Sequence, residues 1–411
     1  MEDAAFILKA RHLATMTGPP VENGVVVVAQ GLVRYAGPLA ALPAPFTDLS
    51  HQDLGDVLLM PGLVNAHTHL ELSACAPVPP PASFVEWVLG LYFRAGLFDD
   101  DRLRAAVRAG AGQSLSFGVT CVGDVATRPH LSRPVLAECP LRAVSFGEVR
   151  GIGSRAPLAA GMLQHATEPP PAGVVAGVSP HAPYSTGRAA YEACLAAASA
   201  TGLPLATHLA ELPEERPFLA DHAGPLRELL DVLGITLEGE ATFAGSPVAW
   251  AESLGLLQTP CVLAHVNDVD DDDMQRLAAG RASVCYCPRT HAFFGHRPHR
   301  FVEMLAAGVN VCLGTDSRAS SPDLNLLAEA ALARRQAPSL PATVFLEMIT
   351  TRAAAALCQP VGRLVPGHWA DMVAFPAAAA TPEAAAEAVL EQQPLPSAVW
   401  QGGTSVEVRD Q

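Results

Sequence analysis

The chain has 411 residues, of which 50% are hydrophobic, and it carries a formal net charge of −15 at pH 7. This length and apolar content allow a large buried core, which excludes a mainly disordered protein. The negative charge argues against a nucleic acid polymer or an anionic membrane as the main partner, because both require a positive surface, and it favours a small-molecule substrate.

The termini and the cysteines indicate a cellular compartment. No apolar run reaches the roughly 18 residues that span a bilayer, and the first residues, MEDAAFILKA, are acidic where a secretory signal would be basic. The nine cysteines include no CxxC pair, which suits reduced thiols better than a disulfide framework. We therefore expect a cytoplasmic protein, and the composition leaves a homo-oligomer open.

The first elements in chain order are short β-branched runs broken by Gly, Pro and Asn-Gly, within residues 1–59. The same texture returns in residues 359–411, where GRLVPGHWADMVAF and SAVWQGGTSVEVRD are predicted strands on either side of an Ala/Glu-rich helix. We expect the two chain ends to join in one small β-sandwich domain.

Residues 60–358 alternate short apolar runs with Ala-, Leu- and Arg-rich segments of helical period, such as DRLRAAVRAGAGQSL. This alternation indicates βα units and a parallel sheet. The predicted strands cover residues 62–69, 118–125, 141–149, 173–180, 204–209, 261–266, 283–288 and 309–316. Eight such strands in about 300 residues are what a (β/α)8 TIM barrel requires, so we expect an α/β fold with this barrel as its catalytic domain.

Two histidines stand at the end of the first predicted barrel strand, LVNAHTHLEL. Side chains alternate along a strand, so His67 and His69 point to one face and Thr68 to the other. If the strand ends at the carboxyl mouth of the barrel, both imidazoles reach the place where TIM-barrel active sites lie. An HxH pattern alone does not separate metal ligation from packing or hydrogen-bonded histidines.

Other predicted strands end in the same kinds of group. The fifth strand ends in THLAE, with His208 and Glu211; the sixth ends at His265, and the eighth at Asp316. Imidazole and carboxylate ligands suit a borderline divalent ion such as zinc or ferrous iron. The alternative is a set of unrelated histidines at strand ends.

Two further features bear on the chemistry. Lys9 is the only lysine, so a buried catalytic or metal-bridging lysine in the barrel is excluded. Cys285 and Cys287 alternate along the seventh predicted strand, but no partners for zinc ligation accompany them, and packing is the favoured interpretation.

The segments PGLVNAHTHLELS, SPHAPYST, THLAE, LAHV and GTDS together resemble the signature blocks of the amidohydrolase superfamily, in its cytosine deaminase/chlorohydrolase-like branch. The resemblance covers nearly the whole chain, including the split β domain. It implies a metal-dependent hydrolase that removes an amino group from a nitrogen heterocycle. It also implies one divalent metal ion, Zn²⁺ or else Fe²⁺, because binuclear relatives bridge two ions with a lysine that this barrel lacks.

The resemblance also assigns roles to single residues. His67, His69, His208 and Asp316 would hold the metal ion, and Asp316 would share in catalysis. Glu211 would be the proton-shuttling acid and base, although a charge at a helix N-terminus or a salt bridge is an alternative interpretation. His265 would orient the attacking hydroxide, and His181 would contact the substrate.

Substrate specificity is less legible in the sequence. Glu148 and Arg150 after the third strand, and His291 after the seventh, are candidate substrate-binding residues, each with a loop salt bridge or packing as the alternative. Arg289 is a second candidate to pair with a substrate carboxylate. Family members that act on adenosyl nucleosides carry a ribose-binding glutamate about nine positions after the tryptophan that matches Trp87, and Gly96 stands near that place.

The details HTHLELS, SFVEWVLGLYFRA, SPHAPYS and GPLRELL are most similar to the aminodeoxyfutalosine deaminases of the alternative menaquinone route, whereas CPRTHAFFGH departs from their pattern. A 6-aminopurine nucleoside such as aminodeoxyfutalosine is therefore the expected substrate. The alternatives are cytosine or guanine deamination, triazine chloride hydrolysis, cyclic amide hydrolysis, and a non-enzymatic assembly protein, because fold alone does not fix function.

Overall fold

The computed structural model describes residues 5–75 and 83–407. A barrel of eight parallel strands occupies its centre, with neighbours paired in chain order. The barrel strands are β6 (Leu63–Thr68), β7 (Val119–Ala126), β8 (Arg142–Val149), β9 (Val174–Pro180), β10 (Leu205–Leu209), β11 (Cys261–His265), β12 (Ser283–Tyr286) and β13 (Val311–Leu313). Each falls within or within one residue of a predicted strand, so the predicted barrel is confirmed.

The barrel closes between its first and last strands. A parallel bridge joins Thr68 to Asp316, and the Asp316 amide donates to the His67 carbonyl at 3.1 Å. Asn65 cross-links the same seam, since its Nδ2 donates to Thr315 Oγ1 at 2.8 Å. Gly314 is required there, because a Cβ at this position would lie 2.7 Å from the His67 carbonyl oxygen. The seam therefore fixes His67 and Asp316 beside each other.

Helices cover the outer face of the barrel strands and packed side chains fill the barrel interior, which explains why the strands are almost continuously apolar. The described helices are α1 (Phe84–Ala95), α2 (Asp100–Ser116), α3 (Pro129–Glu138), α4 (Leu158–Thr167), α5 (Arg188–Thr201), α6 (Glu215–Asp221), α7 (Pro225–Val232), α8 (Pro247–Ser253), α9 (Asp271–Ala279), α10 (Pro288–Phe294), α11 (Phe301–Ala306), α12 (Leu326–Gln336), α13 (Ala342–Met348), α14 (Thr351–Ala356) and α15 (Pro382–Gln392). In the part of the chain that the structure describes, no helix is both long and apolar enough to cross a membrane.

Strands from both chain ends form a second, mixed sheet of eight strands in the order β16-β15-β14-β5-β1-β2-β3, with β4 beside β1. Its strands are β1 (Phe6–Leu13), β2 (Val21–Ala29), β3 (Leu32–Pro38), β4 (His51–Asp53), β5 (Val57–Pro61), β14 (Met372–Pro376), β15 (Ala398–Gln401) and β16 (Thr404–Val406). The central pairing is β5 with β14, which brings the two chain ends together as expected.

An ion pair and a ring contact attach this sheet to the barrel. Arg142 at the start of β8 donates from Nε to Asp371 at 2.6 Å, and its guanidinium lies over the Trp369 ring at 3.9 Å. Asp371 is buried, so the pair is shielded from salt and water. The contact holds the β domain against the amino-terminal end of the third barrel strand, away from the mouth.

Candidate active site

Three histidine rings converge at the carboxyl end of the barrel. His67 and His69 come from the end of β6 and His208 from β10, and one nitrogen of each lies within 4.8 Å of the others. The Nε2 atoms of His69 and His208 are 3.2 Å apart. Nε2 of His67 is buried and has no hydrogen-bond partner among the described residues. The rings thus direct nitrogens at one point, as alternation along β6 predicts.

The tautomer of His208 is set by a backbone carbonyl. Nδ1 lies 3.0 Å from the His181 carbonyl oxygen, which can only accept, so Nδ1 carries the proton. The lone pair of Nε2 then faces His69 and His67. Orientation of a ligating imidazole through its other nitrogen is the usual arrangement in metal sites.

Asp316 places a carboxylate beside these rings. Its Oδ1 lies 3.7 Å from Nε2 of His67 and 3.6 Å from Nε2 of His69, while Oδ2 accepts from Ser320 Oγ at 3.2 Å. Asp316 adopts a left-handed backbone with φ 53°, which a non-glycine residue rarely does. Strained backbone of this kind tends to occur where a side chain must be aimed for function.

The donor set fits a divalent cation. Burial lowers the pKa of His67 well below its usual range and that of His69 to about 3, so both imidazoles are neutral and can ligate. Burial raises the pKa of Asp316, because its negative charge lacks full compensation. A cation among the three imidazole nitrogens and this carboxylate would supply that compensation.

Glu211 and His265 lie next to this group. Glu211 Oε1 is 3.6 Å from His265 Nε2, and both side chains are buried. Burial, with the neighbouring Asp316 charge second, raises the pKa of Glu211 well above its usual range. The two loops brace each other, since Asn267 donates from Nδ2 to the Glu211 carbonyl at 3.1 Å. A buried carboxyl group with a raised pKa can both accept and donate a proton near neutral pH.

Glu148, Arg150 and His181 form a second polar group on the same side of the barrel mouth. Arg150 Nε lies 2.6 Å from Glu148 Oε1, and Glu148 Oε2 lies 4.0 Å from His181 Nε2. His181 Nδ1 contacts Ser185 Oγ at 2.5 Å. The expected substrate-binding residues from the third and fourth strands are therefore neighbours.

A cavity of about 660 Å³ opens onto both groups. Its polar floor contains His69, His208, Glu211, His265 and Asp316 together with Glu148, Arg150 and His181. Its other walls are mainly apolar and come from α1, the loop after β8, α4, α7 and the turn after α7: Phe84, Trp87, Leu91, Ile152, Met162, Leu229, Leu233 and Ile235. A cavity of this size accommodates an organic molecule of drug-like dimensions.

Residues 58–405 match the amidohydrolase family. The chain belongs to the amidohydrolase family. Over 367 residues it is 30% identical to the 5-methylthioadenosine/S-adenosylhomocysteine deaminase of Nitratidesulfovibrio vulgaris, covering 86% of this chain and 79% of that protein. Over 343 residues it is 30% identical to the aminodeoxyfutalosine deaminase of Deinococcus radiodurans, covering 79% of each.

A solved structure gives the same fold. The crystal structure of Helicobacter pylori aminofutalosine deaminase in complex with methylthio-coformycin superposes with a TM-score of 0.87 at 21% identity, covering 98% of this chain and 100% of that chain. The match to the amidohydrolase family over residues 58–405 confirms the resemblance inferred from the signature segments. The family and its deaminase relatives make this amidohydrolase a hydrolytic enzyme that cleaves a C–N bond, and enzymes of the family generally use a divalent metal ion.

Two residues of the CPRTHAFFGH segment do not reach the cavity of this amidohydrolase. Nε2 of His291 donates to the Arg297 carbonyl at 2.8 Å, and His291 is not among the cavity-lining residues. Arg289 forms ion pairs with Glu329, at 2.6 Å from Nε to Oε1, and with Asp323, at 2.7 Å from a terminal nitrogen to Oδ1. The structure therefore does not support direct substrate contact by either, because α10 begins immediately after β12 and turns both side chains away. Cys287 and Cys285, from the same region, are buried in the apolar barrel interior.

Sequence reasoning missed Glu215. Its carboxylate accepts from the backbone amides of Ala210 at 3.0 Å and Glu211 at 2.7 Å, and so holds the turn that carries Glu211. The spacing of four residues between the two glutamates was the available signal, but it is equally typical of any exposed helix. Glu71 was missed in the same way: this buried residue on the cavity wall accepts from the amides of Thr127 and Arg128, each at 3.0 Å.

Proposed function

We propose that this amidohydrolase deaminates a 6-aminopurine nucleoside that carries a carboxylated aromatic substituent, such as aminodeoxyfutalosine. The observation that carries the proposal is the buried Glu211 carboxyl group, which faces His265 at 3.6 Å on the floor of the cavity, beside three converging histidines. Deamination of an amino heterocycle needs one group that moves protons beside a source of nucleophilic water.

The proposed metal site consists of His67, His69, His208 and Asp316, with Zn²⁺ as the favoured ion because it binds imidazole nitrogen and carboxylate oxygen ligands. When bound, the ion would lower the pKa of a coordinated water toward neutrality and so make it a nucleophile at the ring carbon. The absence of lysine beyond Lys9 supports one ion per chain, because no lysine is available in the barrel to bridge two.

The chain's own residues account for the proton movements. Glu211 takes the proton released from water and passes it to the ring nitrogen next to the reacting carbon. It then takes the remaining proton from the hydroxyl group added to the carbon and delivers it to the amino group. The C–N bond breaks, ammonia leaves, and the carbon becomes a ring carbonyl. His265, 3.6 Å from Glu211, would orient the attacking oxygen through Nε2. His181 would contact the purine through Nε2, because its Nδ1 is held by Ser185.

The shape of the cavity supports a nucleoside with a large substituent. A free base bound at the polar floor would fill only part of the roughly 660 Å³ cavity. The remaining walls are apolar. Two relatives at 30% identity are named for compounds of this kind, a thioadenosine or adenosylhomocysteine and aminodeoxyfutalosine. Gly96 lines the cavity without a side chain, so it cannot supply the ribose-binding glutamate that family members acting on adenosyl nucleosides carry near this place.

The test is a substrate panel. Purified, Zn²⁺-reconstituted enzyme is given aminodeoxyfutalosine, adenosine, methylthioadenosine, adenosylhomocysteine, cytosine, guanine and a chlorotriazine, and the release of ammonia or chloride is followed. The proposal requires the highest kcat/KM for aminodeoxyfutalosine. A preference for methylthioadenosine or adenosylhomocysteine would retain nucleoside deamination and reject the aromatic substituent. Turnover of cytosine, guanine or the triazine alone would reject the nucleoside.

A further inference from the structure

The CPRTHAFFGHRPH segment, which does not reach the cavity, folds into a second group of histidines behind the site. This rear cluster consists of His291, His296 and His299. The ring centroid of His291 lies 5.4 Å from that of His296 and 5.9 Å from that of His299. The cluster packs against the end of β11, where His265 is the last residue of the strand.

His299 contacts the backbone of His265 directly. Its Nε2 lies 2.9 Å from the His265 carbonyl oxygen, and because a carbonyl can only accept, Nε2–H is the donor. His299 is only 8% exposed, and the Tyr286 ring stacks on it at a centroid distance of 4.0 Å and an interplanar angle of 21°. Burial lowers the pKa of His299 to about 3, so the ring is neutral. The donor is therefore fixed in both position and plane.

The backbone at this contact is strained. His265 has φ 72° and Val266 has φ 54°, a left-handed conformation that is especially unfavourable for the β-branched Val266. Such a conformation persists only where surrounding contacts enforce it. The Val266 amide donates to the Leu209 carbonyl at 3.0 Å on one side of the peptide, and His299 holds the His265 carbonyl on the other.

Hydrogen bonds within the rest of the segment position His299. Nε2 of His291 donates to the Arg297 carbonyl at 2.8 Å, and the His296 amide donates to the His291 carbonyl at 3.3 Å. Gly295 allows the sharp turn at the end of α10, with φ 66°. These bonds fold residues 295–299 back against β12, where Tyr286 receives the His299 ring.

We propose that His299 is a positioning residue, which locks the His265–Val266 peptide in its left-handed conformation and thereby keeps His265 Nε2 facing Glu211. The inference rests on the role proposed above for His265. It also assigns a role to the CPRTHAFFGHRPH segment, which departs from the pattern of the aminodeoxyfutalosine deaminases. The segment supports the site from behind and does not bind substrate.

Two substitutions separate the hydrogen bond from the shape of the ring. His299→Phe keeps an aromatic ring for Tyr286 to stack on but removes the donor, whereas His299→Gln places an amide donor near the position of Nε2. We expect His299→Phe to lower kcat by about 10- to 100-fold, the usual effect of removing a hydrogen-bond partner that orients an active-site histidine. KM and metal content should be unchanged, because His265 is assigned to the attacking oxygen and not to the ion. His299→Gln should recover most of this loss.

His12 offers a matched control in the β domain. It too is a buried histidine whose Nε2 donates to a backbone carbonyl, that of Ala379 at 3.2 Å, and whose Nδ1 has no partner. His12→Phe therefore removes the same kind of bond far from the barrel mouth. It should reduce thermal stability to a similar extent as His299→Phe and leave kcat unchanged.

A second measurement needs neither substrate nor metal. Hydrogen–deuterium exchange of the peptide covering residues 262–268 should be faster in His299→Phe than in wild type, and close to wild type in His299→Gln and His12→Phe. Unchanged exchange in His299→Phe, or an equal loss of kcat in the Phe and Gln variants, would overturn the inference. If wild-type enzyme deaminates no compound of the panel, the proposed function fails, while the exchange comparison still decides whether His299 holds the His265 loop.

Discussion

The Glu215 carboxylate holds the backbone of Glu211, with Oε1 of Glu215 accepting from the Glu211 amide at 2.7 Å. Its other oxygen accepts from the Ala210 amide at 3.0 Å, where the chain leaves β10 in a left-handed conformation with φ 49°. Two amides that have left the sheet are thus satisfied by one buried side chain. The position of the proposed proton shuttle depends on a second glutamate four residues later.

Replacing Glu215 by Gln should misplace Glu211 without emptying the metal site. The amide group of Gln would turn N–H donors toward the Ala210 or Glu211 amides, so one of these buried groups would lose its acceptor. We expect kcat to fall about 10- to 100-fold with metal content unchanged, as measured by ammonia release and elemental analysis. As a control, Asp53→Asn removes a carboxylate acceptor from the Gly55 amide in the β domain, and it should not alter kcat.

The proposed ligand set predicts one tightly held ion per chain. Elemental analysis of Zn²⁺-reconstituted wild type should give one equivalent, and His208→Ala should lose it, because His208 supplies one of the three converging nitrogens. Two equivalents that survive dialysis in wild type would contradict the single site. Full occupancy in His208→Ala would remove His208 from the ligand set.

Metal binding and proton transfer should separate at Glu211. Glu211→Gln removes the ability to move a proton but keeps the shape of the side chain, so we expect a loss of roughly 10²- to 10⁴-fold in kcat with the ion retained. His265→Asn should also retain the ion, because it is assigned to orientation. A Glu211→Gln enzyme that loses its metal and regains normal turnover on reconstitution would show that Glu211 has a structural role.

The barrel was predictable because the alternation of apolar strands and helical segments repeats over most of the chain. Once the barrel is known, a side chain at the carboxyl end of a strand is expected at its mouth. His67 and His69 were placed on one face by strand alternation alone. Contacts that depend on loop conformation were not predictable. The hydrogen bond from His299 to the His265 carbonyl depends on the turn at Gly295. The ion pair between Arg289 and Glu329 depends on the start of α10 at Pro288.

Asp124 predicts a dependence of stability on pH. It is buried, its Oδ1 accepts from the Leu70 amide at 2.9 Å, its Oδ2 has no partner, and burial raises its pKa to about 7 from an ordinary value of 3.8. Between about pH 4 and pH 7 the folded state therefore keeps a proton on Asp124 that the unfolded chain releases. The contribution of Asp124 to the free energy of unfolding is fully present below about pH 4 and is lost as the pH rises through 7.

Asp124→Asn should remove this contribution, since a neutral amide has no proton to lose. Urea denaturation at pH 5 and pH 8 should show a smaller decrease in the free energy of unfolding for the variant than for wild type. An identical decrease in the two proteins would mean that Asp124 is charged in the folded state throughout this range.

The last prediction concerns Arg150, which we propose pairs with the carboxylate of the substrate. Its Nε is bound to Glu148 at 2.6 Å, its side chain is 41% exposed, and it lines the cavity, so its terminal nitrogens remain able to form a bidentate bond. Arg150→Met should lower kcat/KM for aminodeoxyfutalosine about 10- to 100-fold, the typical effect of losing a charge-assisted hydrogen bond. The change also leaves Glu148 without its cation, and that effect is the same for every substrate. Loss of the carboxylate contact is selective, so kcat/KM for adenosine, which has no carboxylate, should fall much less.

Arg155→Met provides the comparison, since Arg155 also lines the cavity but donates to the Leu233 carbonyl at 2.8 Å. Equal losses for both substrates in Arg150→Met, or a selective loss in Arg155→Met alone, would reject Arg150 as the carboxylate partner.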